Sequence, residues 1–122
     1  MNVTIDPRLK TKCPRTALGC VTARVEAGAS PAALLEEIKA RETEIQKLAV
    51  PRSVLASPQV ESTRLAYKAL GKDPSRYRGS AEALLRRVVA GKGLPQINAV
   101  VDAINLASVE AACRLGCMTW RM

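Results

Sequence analysis

The fold is decided by the stretch Ser80-Ala-Glu-Ala-Leu-Leu-Arg-Arg-Val-Val-Ala-Gly91, which carries the clearest hydrophobic period in the chain. Four apolar residues share one helical face at positions i, i+3, i+4 and i+7: Ala81, Leu84, Leu85 and Val88. The serine at its start is a favoured N-cap residue, and the glycine at its end is a favoured stop. The stretch therefore predicts an amphipathic helix.

Similar signals predict helices on both sides of this stretch. Ser30-Pro31 and Ser57-Pro58 each place an N-cap residue before a proline, which is tolerated at the first helical position. They predict helices over 31–49 and 58–70. Arg41 and Glu42 interrupt the apolar stripe of the first, so we expect that part to lie over solvent. A fourth helix is predicted after Pro95, with a strand beginning at Asn98 as the alternative.

One segment near the N-terminus has the pattern of a strand. From Ala17 to Glu26, apolar residues run close to alternation with Thr22 and Arg24, which is typical of a strand with one buried face. The apolar residues are Leu18, Cys20, Val21, Ala23 and Val25. Together these patterns predict an α+β fold that is mostly helical, with about four helices and one or a few N-terminal strands.

The 122 residues fit one domain, with 48% hydrophobic and 25% charged residues. Residues 1–16, rich in proline and basic side chains, predict an irregular arm, and 113–122 a divergent tail. No apolar run approaches the roughly 18 residues of a membrane span, and the first 12 residues lack the apolar core of a secretory signal. We therefore expect a soluble, cytoplasmic protein with no membrane partner.

The chain has no histidine and four cysteines, Cys13, Cys20, Cys113 and Cys117. The lack of histidine excludes catalysis by Ser-His or Cys-His pairs. In a reducing compartment the cysteines are expected to be thiols, with Cys13 and Cys20 buried around the strand. Their C-x6-C and C-x3-C spacings match no common zinc signature, so neither a metal nor a cofactor is indicated.

The net charge of +8 predicts a polyanionic partner, with nucleic acid as the first candidate. Between Arg64 and Lys92, eight basic residues stand against two acids, Asp73 and Glu82, so this part holds most of the excess. The candidate nucleic-acid contacts are Arg64, Lys68, Lys72, Arg76, Arg78, Arg86 and Arg87. The first three are spaced by four, so they share one helical face if the helix continues through Lys72, and the turn from Lys72 to Arg78 extends the patch. The alternative is a solvated face with ion pairs at the two acids.

Three blocks in this region carry a family resemblance. They are Arg64-Leu-Ala-Tyr-Lys-Ala-Leu-Gly-Lys-Asp-Pro-Ser-Arg-Tyr-Arg78, Ser80-Ala-Glu-Ala-Leu-Leu-Arg-Arg87 and Leu94-Pro-Gln-Ile-Asn-Ala-Val-Val-Asp-Ala-Ile-Asn105. In this order they resemble the stand-alone B-three/B-four domain proteins, which are relatives of the editing domain of the phenylalanyl-tRNA synthetase β subunit. The resemblance covers most of Val60 to Val109 and implies that 17–112 form part of such a domain.

The resemblance also implies a function and a pocket. The synthetase domain hydrolyses the ester of tRNA wrongly charged with tyrosine, so the chain is expected to bind tRNA and, if active, to act as an aminoacyl-tRNA deacylase. By the same resemblance, Asn98, Asp102 and Asn105 would line the editing pocket. Amides and a carboxylate on one helical face can hydrogen-bond a substrate or orient a water. Alternatively, Asp102 and Asn105 cap or cross-link the fold.

After Ala112 the sequence departs from the family, which there carries a histidine and an aspartate. We expect the chain to cover about the first half of the family's domain and its tail to come from a truncated or shifted reading frame. If half of the hydrophobic core is missing, apolar surface is left exposed, and a partner must cover it or the protein aggregates. The alternative functions are therefore a non-catalytic interaction module or a remnant that needs a second copy or a complementing chain, and, on charge alone, a duplex DNA binder.

Overall fold

The computed structural model describes residues 2–48 and 53–113. Five helices follow one another along these ranges: α1 Pro7–Lys12, α2 Ala32–Leu48, α3 Pro58–Ala69, α4 Ser80–Val89 and α5 Ala99–Cys113. The four predicted helices are confirmed, and the segment expected to be an irregular arm contains the short helix α1. No helix in the described ranges is long and apolar enough to cross a bilayer.

The predicted α+β class is wrong, because the described residues contain no strand. Residues 16–31 form neither a helix nor a turn nor a bend, and none of them pairs as a strand. Alternating side chains suit a strand, but a strand also needs a neighbouring strand to bond with. None of the described residues supplies one, and the apolar run after Asn98 is helix α5 rather than a second strand.

The core lies where α2, α4 and α5 meet, and α3 packs against α5. Its centre is formed by Val88 of α4 and Val109 of α5, neither of which has any exposed surface. The predicted apolar face of α4 points into this core, as its buried Leu85 and Val88 show. The full cluster comprises Ile38, Ile45, Val54, Val60, Leu85, Val88, Leu94, Leu106, Val109 and Ala112.

Glycines end α3 and α4 in the way that the sequence predicts. Gly71 and Gly91 both have a φ of +78°, in the left-handed region that favours glycine. The N–H after each glycine returns to the last turn of its helix: Lys72 N–H donates to the Tyr67 carbonyl at 2.8 Å, and Lys92 N–H to the Arg87 carbonyl at 2.9 Å. These bonds fix the direction in which the chain leaves α3.

Three serines were predicted as N-caps. The prediction is wrong for Ser80, which is the first residue of α4, with Gly79 as the N-cap. The other two, Ser57 and Ser30, use their hydroxyls for contacts between helices. Ser57 Oγ donates to the Ala112 carbonyl at 2.6 Å, which ties the start of α3 to the end of α5. Ser30 Oγ donates to Asp102 Oδ2 at 2.5 Å, which ties the start of α2 to the first turns of α5. Ser57 Oγ also lies 3.1 Å from Gln59 Oε1 in the first turn of α3, so its contacts are both local and tertiary, whereas the Ser30 contact is tertiary.

Arg41 and Glu42 lie against other parts of the protein rather than over solvent, so that expectation is wrong. Arg41 is 9% exposed and forms ion pairs with Glu44 and, at 3.7 Å, with Glu110 of α5. Glu42 Oε1 accepts a hydrogen bond of 2.6 Å from the Leu94 N–H. The break in the apolar stripe marks the polar contacts that hold α2 to α5 and to the connection before α5.

Candidate functional site

The seven predicted basic residues fall into two groups. One group makes hydrogen bonds within the protein: Arg64, Arg86 and Arg87. The other is exposed and has no ion-pair partner among the described residues: Lys68, Lys72, Arg76 and Arg78. We call these four residues the basic turn, because they lie on the last turn of α3 and on the connection to α4.

Glu82 is the reason that two of the arginines turn inward. Its carboxylate is 3% exposed and lies between two guanidinium groups. Arg64 Nη1 reaches Oε1 at 2.9 Å and Oε2 at 3.2 Å, and Arg86 Nε reaches Oε1 at 3.0 Å. Because a buried carboxylate needs such partners, these two arginines stabilise the fold. The predicted stripe on one face of α3 is therefore wrong: Arg64 turns to Glu82, the helix ends at Ala69, and only Lys68 remains exposed on it, since Lys72 lies on the connection to α4.

The shape of the connection is held by Arg64 and Asp73. Arg64 Nη1 also donates to the carbonyl of the buried Pro74 at 3.2 Å. Asp73 Oδ1 accepts a hydrogen bond from the Ser75 N–H at 2.8 Å. The Asp73 carbonyl accepts from the Arg76 N–H at 3.1 Å and from the Tyr77 N–H at 2.9 Å. Asp73 thus bonds to backbone and not to a cation, and the turn has a defined conformation.

Tyr77 belongs to the same surface, although the sequence did not single it out. Lys72 Nζ lies 4.9 Å from the centre of the Tyr77 ring, and the tyrosine is 49% exposed. A lysine over an aromatic face is attracted to it, which orients the ammonium group. The contact joins the two ends of a turn, and no periodic pattern in the sequence signals it.

Arg87 lies at the other end of α4 and is held differently. Its Nε donates to the Gly93 carbonyl at 3.0 Å, so the side chain closes the turn between α4 and the connection to α5. The residue remains exposed. It therefore combines a structural bond with an accessible charge, outside the basic turn.

The three predicted pocket residues lie at the start of α5. Asn98 Oδ1 accepts from the Val101 N–H at 2.9 Å, which is the bond of a helix N-cap. Asp102 is 2% exposed, and its Oδ1 accepts from the Ile97 N–H at 2.8 Å, while its Oδ2 is bound to Ser30. Asn105 is half-buried, and its side chain makes no hydrogen bond with the described residues. The first two residues thus share one site, in which both Asp102 oxygens accept bonds from the protein.

The contacts of Asp102 predict how stability depends on pH. The Ser30 hydroxyl, followed by the Ile97 N–H, holds the pKa of the Asp102 carboxyl below its ordinary value of 3.8. A pKa that folding lowers gives stability that is complete above about pH 5 and is lost as the pH falls below about 4. Thermal unfolding at a series of pH values should show a larger loss in the parent than in an Asp102→Asn variant, which cannot titrate. Parallel losses would contradict this role.

A cleft of about 410 Å³ lies between α1, α3, the start of α4 and the end of α5. It is lined mainly by apolar side chains, and Tyr67 and Leu70 bring it next to the basic turn. None of the residues predicted as site residues lines it. Its walls come from four helices spread along the chain, so no single motif could have indicated it.

The described cysteines do not form a common site. Cys13 is buried as expected, but Cys20 is exposed, as are all residues of the segment 17–27 that carries it. The Cys113 side chain and Cys117 lie outside the described residues. Within the described part of the chain, no group of three or more potential metal ligands comes together.

No family model matches this chain. Curated proteins and solved structures likewise contain no match to it. The resemblance to B-three/B-four domains therefore rests on the three sequence blocks, and the functions that it implies stay predictions. What the geometry adds is the separation of the basic residues into structural arginines and an exposed basic turn.

Proposed function

We propose that this chain binds a folded RNA, with tRNA as its natural partner, by holding the phosphate backbone on the basic turn. One observation carries the proposal: four neighbouring cations are exposed and form no ion pair with any described residue, although the acids Asp73 and Glu82 lie in the same region. Unpaired lysines and arginines can each neutralise a phosphate and release its counterions. The proposal uses Lys68, Lys72, Arg76 and Arg78.

The fixed shape of the turn favours binding. Arg64, Asp73 and Gly71 hold the backbone between α3 and α4, so little conformational freedom is left to lose when a ligand binds. The exposed Tyr77 ring offers a surface on which an unpaired base of an RNA loop or end can stack. Residues 64–105 resemble a domain that edits tRNA, and this resemblance favours tRNA over duplex DNA as the partner.

A salt series tests the proposal. If four phosphates are contacted, the plot of log K against log salt should have a slope of about −3 to −4. Affinity for tRNA(Phe) should then fall about 50- to 150-fold between about 50 and 200 mM salt. A slope near zero would contradict phosphate binding, and equal affinity for a DNA duplex at every salt concentration would contradict a preference for RNA.

Trans-editing is the second part of the proposal and is supported by the resemblance alone. In that reaction water attacks the aminoacyl ester of tRNA(Phe) wrongly charged with tyrosine, releasing tyrosine and free tRNA. Release of tyrosine measured in the same samples reports it directly. If an Asp102→Ala protein releases tyrosine as fast as the parent, Asp102 has no role in the hydrolysis. If the parent binds tRNA but releases no tyrosine, the chain is a tRNA-binding module without editing activity.

A further inference from the structure

Residues 17–27, here called the open segment, are exposed at every position. Within the described part of the chain, none of these residues makes a hydrogen bond, either through backbone or through side chain. Their apolar side chains stand in solvent, with Val21 at 94% and Val25 at 61% exposure. An exposed segment with the alternating sequence of a strand and no hydrogen bonds of its own can pair with another strand.

The free edge of the open segment can be deduced from its one tether. The Gly28 carbonyl, directly after the segment, accepts from the Ala99 N–H of α5 at 2.9 Å. In an extended chain, successive residues point their backbone groups to opposite edges. When the segment pairs as an extended strand, the Gly28 bond places the even-numbered residues on the side of α5, so the N–H and C=O groups of Ala23, Val25 and Ala27 face away from it toward the partner.

The sequence on this edge is complementary to itself. An antiparallel pair centred on Val25 places Ala23 opposite Ala27, and Val21 opposite Ala29, on one face. On the other face Arg24 lies opposite Glu26 at both ends. This charged pair falls at the non-hydrogen-bonded position, where side chains approach most closely.

We propose that the open segment binds the same segment of a second copy of this chain, forming an antiparallel two-stranded ribbon across a two-fold axis at Val25. The two Arg24–Glu26 pairs set the register, and Val21, Ala23, Val25 and Ala27 of both copies form one continuous apolar face. Ile97, two residues before the tether at Ala99, is a further exposed apolar side chain, at 66% exposure. The proposal is independent of RNA binding.

The ribbon alone makes a small interface. Interfaces below about 1,200 Å² are typical of weak complexes, so we expect a dimer in the micromolar range. The parent should therefore pass from monomer to dimer in sedimentation experiments as its concentration rises through that range. A parent that stays monomeric up to about 1 mM, the weak end of specific binding, overturns the proposal.

Two proline variants test which edge pairs. Val25→Pro removes an N–H from the free edge and should abolish the dimer. Thr22→Pro is the matched control, because its N–H points to the other edge, and it should dimerise like the parent. Circular dichroism checks that both variants remain folded. Equal dimerisation of the two variants would overturn the proposed edge.

Charge exchange tests that the partner is a second copy. Arg24→Glu and Glu26→Arg should each dimerise at least tenfold more weakly than the parent, because each places like charges opposite one another. An equimolar mixture of the two should dimerise, since every opposed pair in that heterodimer is again of opposite sign. A mixture no better than either variant alone would overturn the register and the second copy as partner.

Discussion

The Arg64→Ala variant is expected to lose about 3 kcal/mol of unfolding free energy, because it leaves the buried Glu82 carboxylate with one guanidinium partner in place of two. It also removes the bond that holds Pro74. Arg86 still binds Glu82, which keeps the loss at the lower end of the range for a broken buried ion pair. Urea unfolding followed by circular dichroism measures it.

Lys68→Ala is the matched control for this variant. Lys68 lies one turn further along α3, is exposed and has no ion-pair partner, so its removal should change the unfolding free energy by less than about 0.5 kcal/mol. The two substitutions remove the same charge from the same helix. Equal losses for both, or none for Arg64→Ala, would show that the Glu82 ion pairs do not stabilise the fold.

The Lys68→Ala, Lys72→Ala double variant is expected to bind tRNA about 25- to 60-fold more weakly at about 0.1 M salt. The reason is that each phosphate contact contributes about 0.7 to 0.9 to the salt slope, so two lost contacts lower it by about 1.4 to 1.8. Both lysines are exposed, and the contact of Lys72 with Tyr77 is a surface contact, so the fold should be unaffected. Fluorescence anisotropy of labelled tRNA, repeated at several salt concentrations, measures both the affinity and the salt slope.

The matched control here is the Lys39→Ala, Lys47→Ala variant. Both residues are exposed lysines of α2, and their loss changes the net charge by the same amount. Affinity and slope should stay close to those of the parent if the basic turn is where phosphates bind. Equal weakening by the two double variants would mean that net charge, rather than the basic turn, attracts the RNA.

The helices were predictable because their signals are local. Ser80, Gly71 and Gly91 mark the start or end of a helix within a few residues of the apolar pattern that they bound. The strand was not predictable from its alternating sequence, because strand formation depends on a partner that can lie anywhere in the chain or outside it. The open segment shows this, since its pattern suits a strand and yet no described residue pairs with it.

The basic site was predictable as a cluster but not in its details. The count of lysines and arginines between Arg64 and Lys92 identified the region. Which of them remain free depends on Glu82, whose carboxylate is brought to Arg64 by the packing of α4 against the rest of the bundle and lies 18 residues away in sequence. The ion pair of Arg86 with Glu82 was predictable from the sequence, because Arg86 lies four residues after Glu82 on the same helix.

Asp102 illustrates the same limit at the start of α5. Its bond with the Ile97 N–H lies within a few residues, and a capping or cross-linking role was one of the sequence interpretations. Its second partner, Ser30, is 72 residues away, and no pattern links the two. The sequence therefore indicated which side chain to consider, and the tertiary fold determines what that side chain contacts.

Phosphate binding by the basic turn can be tested by a titration of ¹⁵N-labelled protein with tRNA(Phe), followed through the backbone amide resonances. We expect the resonances which shift or broaden most to belong to residues 68–78, with those of α2 little changed. Perturbation concentrated on α2, or no perturbation when tRNA is in excess at low salt, would contradict the claim that the basic turn binds RNA.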